Sequence, residues 1–384
     1  MNKLHPRLLL YSGSYDHIVD GVTLTLNRLV GHLESRGWEV MVVAPTTRRP
    51  ELRHRGRFYP APSISVPGRT EYRMATILPP GIRARIVGYE PDVIHIATPD
   101  LIGRWMLGYA RKRSIPVLST YHTDFTAYLG YYKLNALDPL LLGYLRYFYS
   151  RCDLVCVPSP SMIDELRARG LSARMAVWER GIETERFAPA KRSYDWRRSL
   201  GVDDETPLIL YAGRVVREKN VDVIPVVSRR LKERGIAHKI VVVGEGPARA
   251  ELRETMPEAH FTGRLGGDEL ACAFASADIF FFPSGSETFG NVVLEAMASA
   301  LPCVCVDATG SRDLVRHGRN GYLLDLADID GMTARLTELA VDPDHRCAMG
   351  AESLELSSAF RWEAVLDKME MYYREIGSEL KNSN

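Results

Sequence analysis

Six cysteines among 384 residues form no Cys-x-x-Cys pair and no Cys/His set with zinc spacing, which excludes a disulfide framework and a structural zinc site. Cys152, Cys156, Cys303 and Cys305 lie in or beside apolar runs, and Cys272 and Cys347 in helical ones, so buried reduced thiols are expected. Long hydrophobic runs are also lacking: no stretch approaches the ~18 uncharged residues of a spanning helix. The start, Met1 to Arg7, has no apolar h-region before the strand-like Leu8-Leu9-Leu10-Tyr11, and a cytoplasmic protein is expected. Charge of one sign is not in excess, with Lys+Arg 49 against Asp+Glu 48, so nothing global points to nucleic acid. No long repeat or low-complexity tract occurs, and the polar end Glu379–Asn384 is expected to fray.

What is present is an ordinary globular composition, 46% hydrophobic and 25% charged, over a length natural for two domains. Short runs that are apolar throughout alternate with amphipathic stretches. Examples are Val40–Ala44, Val117–Tyr121, Leu208–Ala212, Lys239–Val243 and Ile279–Phe282. Such runs predict parallel strands covered on both faces by helices, hence an α/β chain with two doubly wound, Rossmann-like domains. The expected division is 1–189, 190–359, and a C-terminal segment 360–384. Facing domains of this kind make a cleft, and ligands bind beyond the carboxyl ends of their strands.

The most informative segment is Gly285-Ser286-Glu287-Thr288-Phe289-Gly290-Asn291-Val292-Val293-Leu294-Glu295-Ala296-Met297. It follows a buried-strand pattern and opens a helix predicted from Asn291 to Ala300. Amides of Phe289, Gly290 and Asn291 at the helix start favour an anion such as phosphate. Glu295, one turn in, leans back toward the same volume as Glu287. Either glutamate alone reads equally as a macrodipole partner or a solvated face residue. Donors for phosphate together with two carboxylates for hydroxyls are what a nucleotide sugar needs.

The whole string resembles the signature of retaining glycosyltransferases of the glycosyltransferase-B type, family-4 group: two glutamates with Phe-Gly between them and a Glu-Ala-Met ending. The resemblance extends over nearly the whole chain and implies that the helix of segment 360–384 crosses back onto the first domain. It implies that Glu287 holds sugar hydroxyls and Glu295 the ribose. Arg214 and Lys219, in Gly213-Arg214-Val215-Val216-Arg217-Glu218-Lys219-Asn220, match the cations that hold the leaving diphosphate. Standing alone, that stretch is a solvated charge run. His122, in Thr120-Tyr121-His122-Thr123-Asp124-Phe125, matches the histidine that contacts the donor sugar, although a lone histidine is more often structural. Gly21 matches a donor-loop glycine and Arg264 stands near the expected base. Asp20 replaces the family's first glycine and is either a helix cap or an acceptor contact; Asp124 is assigned to orienting His122 or binding acceptor.

The resemblance further implies retention of configuration by same-face attack. No cofactor and no divalent metal are expected, because cations and helix amides stabilise the leaving phosphate. GDP-mannose leads as donor, ahead of UDP-glucose and UDP-glucuronate. The segment His-Thr-Asp-Phe-x-x-Tyr-Leu-x-Tyr-Tyr is similar to lipid-directed bacterial enzymes, implying a lipid-linked or glycan acceptor. The basic run Thr47–Arg57 and the aromatic stretches Tyr128–Tyr132 and Leu140–Tyr149 suit contact with an anionic membrane, or else a core helix beside a solvated loop. The alternatives carried are a nucleotide-sugar 2-epimerase and a non-catalytic nucleotide-sugar-binding protein.

Overall fold

The computed structural model describes residues 5–66, 69–122, 138–285 and 287–382, so Asp124 and the stretch Tyr128–Tyr132 lie outside the described residues. The chain forms two compact units, Met1–Trp178 with Val365–Asn384, and Glu179–Ala364.

In the first unit the apolar runs become β1 (Arg7–Tyr11), β2 (Glu39–Pro45), β6 (Val93–Ile96), β7 (Val117–Thr120) and β8 (Leu154–Val157). Edge strands β3 (Arg57–Ala61) and β9 (Met175–Val177) complete a seven-stranded parallel sheet ordered β3-β2-β1-β6-β7-β8-β9. Leu9 stands opposite Met41 on one side and Ile94 on the other, so the sheet centre is apolar throughout. An antiparallel hairpin, β4 (Ser63–Val66) with β5 (Arg69–Ala75), is inserted after β3. Neither β3 nor the hairpin has a continuous apolar run, because both are half exposed.

The second unit holds β10 (Leu208–Ala212), β11 (Lys239–Val243), β12 (His260–Gly263), β13 (Ile279–Phe282), β14 (Cys303–Val306) and β15 (Gly321–Leu324). Their order, β12-β11-β10-β13-β14-β15, is that of the dinucleotide-binding folds. Each unit has its own core, one around Leu9, Ile94, Met106 and Phe148, the other around Leu210, Phe280, Met297 and Val304. The order reverses between β1 and β6 in one sheet and between β10 and β13 in the other, and ligand crevices form at such points.

By packing, the chain passes between units at Trp178/Glu179, ahead of the expected 190. The reason is local: Ile182 N–H donates to Phe360 O (2.8 Å), and Phe187 packs edge-on against Phe274 in the second core. The charged stretch before Pro207 is not a free linker either. Arg197 is fully buried and donates to Asp278 at 2.7 Å.

The C-terminal helix Trp362–Asn382 extends into the segment expected to fray, with Glu379 paired to Arg174 at 2.7 Å. Near its middle, Asp367 and Glu370 approach His32, the first at 3.1 Å. Those carboxylates already accept from Arg36, Trp38 and Arg374, so the cluster is an ion-pair network rather than a metal site. All six cysteines are free thiols, but Cys347 is exposed and Cys272 half-buried, against the expectation of burial; both sit on helices, which present part of their surface to solvent.

Candidate active site

The switch point of the second sheet gathers most of the expected donor residues. Beyond β10 the chain turns at Gly213 (φ 152°), and Arg217–Lys219 make a single 3-10 turn. Asn220, left-handed at φ 51°, donates from Nδ2 to Pro283 O (3.0 Å), tying this loop to the end of β13. Lys219 is thereby drawn inward and donates to Glu287 Oε1 at 2.5 Å. Only 11% of the Lys219 side chain and 21% of the Glu287 side chain reach solvent, so removing one partner would cost more than it does in a surface salt bridge. Arg214 behaves differently. Its side chain is exposed, with Glu218 at 3.9 Å, so it is a cation free to swing toward a ligand.

The helix after the Glu287 loop spans Asn291–Ala298, two residues shorter than expected, and has Gly290 at φ 88° as its N-cap. No side chain caps this end and no acid stands in its first turn. Its first internal bonds run from Val293 and Leu294 to Gly290 O, leaving the Asn291 and Val292 amides ahead of them. Phe289 is a core residue, packed edge-on against Phe360. Only its backbone is available to a ligand.

Glu295 is half-buried, and burial, followed by the nearby Glu183 charge, pushes its carboxyl up to about 8. Near neutral pH it therefore holds a proton and can donate as well as accept, whereas the sequence reading treated it as an acceptor only. Glu183 itself was missed because it sits in the segment read as a linker. Gly310 was missed as well. It has φ 89°, and a Cβ there would lie 2.9 Å from Phe289 C and 3.1 Å from Glu287 Cβ, so the loop after β14 closes directly against the glutamate loop. Arg264 is exposed just beyond β12.

Asp-x-Asp triplets do occur in the chain, Asp328-Ile329-Asp330 and Asp342-Pro343-Asp344. Asp328 and Asp342 cap helices, accepting from Gly331 N and His345 N.

In the first unit, Gly21 opens the helix Gly21–Ser35, and Asp20 caps it by accepting from the Val22 and Thr23 amides. Of the two roles open for Asp20, the structure shows the cap. Gly13, beyond β1, donates to Thr98 Oγ1 (2.8 Å) across the switch point. His122 follows β7 and rests on the Trp178 ring, centroids 5.7 Å apart.

Comparison with known proteins gives these features a family. Residues 19–186 match the model Glycosyltransferase Family 4, and residues 193–355 match Glycosyl transferases group 1. A GDP-mannose-dependent alpha-mannosyltransferase of Mycolicibacterium smegmatis is 33% identical over 381 residues, 96% of this chain and 97% of that protein. The chain is a family-4-type glycosyltransferase. The sulfoquinovosyl transferase SQD2 of Arabidopsis thaliana is 32% identical to this glycosyltransferase over 91% of the chain and 70% of the relative. Among solved structures, the sucrose-phosphate synthase of Thermosynechococcus elongatus superimposes with a TM-score of 0.78 at 21% identity, covering 98% of this chain and 100% of that one. The fold of this glycosyltransferase is thus the two-domain glycosyltransferase-B architecture.

Proposed function

We propose that this glycosyltransferase moves a mannosyl unit from GDP-mannose to a lipid-linked or glycan acceptor, with retention and without a divalent metal. The observation that carries the reading is the Lys219–Glu287 pair beside an uncapped helix start at the β10/β13 switch point. The helix amides, Lys219 and Arg214 supply positive charge where the leaving diphosphate develops its negative charge. Glu287 accepts from hydroxyls of the sugar, and Glu295 exchanges hydrogen bonds with the ribose. The acceptor oxygen attacks the anomeric carbon on the face the diphosphate leaves. The bonding pair departs with the phosphate oxygen, which takes the acceptor's proton. His122 contacts the donor sugar, and Asp124 either orients it or binds the acceptor. Gly21 and Arg264 border the donor, the latter near the base.

Mannose is favoured by the name of the Mycolicibacterium relative, which is similar along its whole length. A lipid acceptor is supported by a basic and aromatic face on the first unit. There Arg104 and Arg151 lie over the Tyr147 ring, and Leu101 and Leu140 are exposed. Among the described residues no helix is long and apolar enough to cross a membrane. The same reading has the enzyme in the cytoplasm, touching the inner leaflet.

Nucleotide release from GDP-mannose, UDP-glucose and UDP-glucuronate, each with and without EDTA and added acceptor, tests this. Acceptor-dependent release of GDP that survives EDTA is expected. Release of free nucleotide with an epimerised sugar and no acceptor would mark a 2-epimerase, and binding without turnover a non-catalytic module.

A further inference from the structure

Trp178 is almost fully buried, and its backbone N–H donates to Val157 O at 2.7 Å. Its ring tilts against His122 and meets the edge of His95, with centroids 5.7 and 6.5 Å away. The indole Nε1–H donates to Val365 O at 2.9 Å. Trp178 is the last residue of the first unit before the chain leaves it, and Val365 is the first on its return. One hydrogen bond therefore ties the two crossings together, and the ring that makes it supports His122.

The surroundings hold that ring in place. Tyr372, on the C-terminal helix, donates to Val177 O (3.0 Å), next to Trp178. Its neighbour Tyr373 bonds His95 Nδ1 at 2.7 Å, and His95 Nε2 bonds Thr120 Oγ1 at 2.9 Å. Burial holds the His95 imidazole far below its usual range, at about 3, so it stays a neutral link with one donor and one acceptor nitrogen. Thr120 ends β7, two residues before His122. The C-terminal helix thus reaches His122 along two routes, through the Trp178 ring and through Tyr373, His95 and Thr120. A buried hydrogen-bonded network of this kind restricts the rotamers of its members.

We propose that Trp178 is a positioning residue: by its bond to Val365 it holds the indole that sets the orientation of the His122 ring. The proposal builds on the reading of His122 as a donor-sugar contact. Its test separates the two. The full-length Trp178→Phe and Trp178→Leu variants are compared with wild type by NMR of the His122 imidazole and by steady-state transfer.

Trp178→Leu is expected to shift the His122 ring resonance and lower kcat by ~10- to 100-fold, the scale of a roughly 1 Å misplacement. The donor KM should stay within about twofold, since the loss lies in geometry rather than uniform binding. Trp178→Phe, which keeps a ring but loses the N–H, should give a smaller change of the same sign. In a His122→Ala background Trp178→Leu should cost little more.

An unchanged His122 resonance, or an undiminished loss in the His122→Ala background, overturns the proposal. If Trp178→Leu does not fold, Trp178→Phe decides alone, and no shift of the His122 signal overturns it. A shifted resonance with wild-type transfer in His122→Ala leaves the positioning intact and removes the reading of His122.

Discussion

Lys219 Nζ and Glu287 Oε1, 68 positions apart in sequence, lie 2.5 Å from each other at the centre of the proposed donor site. The pair neutralises two charges that are both mostly shielded from water. It also leaves the carboxylate usable, since it keeps lone pairs for sugar hydroxyls.

Removing one partner should therefore damage the other. Lys219→Met and Glu287→Gln are each expected to lower kcat by ~100- to 1000-fold, the range for a lost electrostatic stabiliser. The double variant should lose clearly less than the product of the two single losses, because the two groups share one interaction. Initial rates of nucleotide release on all four proteins check this.

Glu295 gives a pH signature. Its folded pKa, about 8, lies above the ordinary glutamate value of 4.5, so between those values the folded chain binds a proton that the unfolded chain does not. Stability must then fall as pH rises from about 4.5 to about 8, by ~2 kcal/mol after discounting for its partial solvent access. Glu295→Gln should remove that slope and be the more stable protein at high pH. Thermal unfolding of both across this range provides the measurement, and parallel curves would contradict the assignment.

Gly310 and Gly318 separate two reasons for glycine. Both have positive φ, 89° and 77°, but a Cβ at Gly318 meets nothing within 4 Å whereas one at Gly310 meets the backbone of Phe289. Gly318→Ala should cost ~1 kcal/mol of stability, the scale of backbone strain alone. Gly310→Ala should cost more and raise the donor KM, because the displaced neighbour carries Glu287. Denaturant unfolding and donor saturation curves read the two effects.

The central strands were legible because each is a continuous apolar run, and the Glu287–Glu295 string because its residue types fit one ligand class. β3 and the inserted hairpin were not, since edge strands with polar faces have no such run. Arg197 and Glu183 looked like linker charges, and only tertiary packing against Asp278 and Glu295 shows otherwise. The shift of Glu295 was equally hidden, because burial of a helical glutamate depends on what packs over it. Asp20 could be read either way, and local capping decided what the structure shows.

The central claim is that the Lys219–Glu287 pair serves transfer from a nucleotide sugar. Its most direct test is GDP release from GDP-mannose, with acceptor and EDTA present, by the wild-type chain beside Lys219→Met and Glu287→Gln. The prediction is steady release by the wild type and at least a ~100-fold loss in each folded variant. Equal release by all three proteins would contradict it.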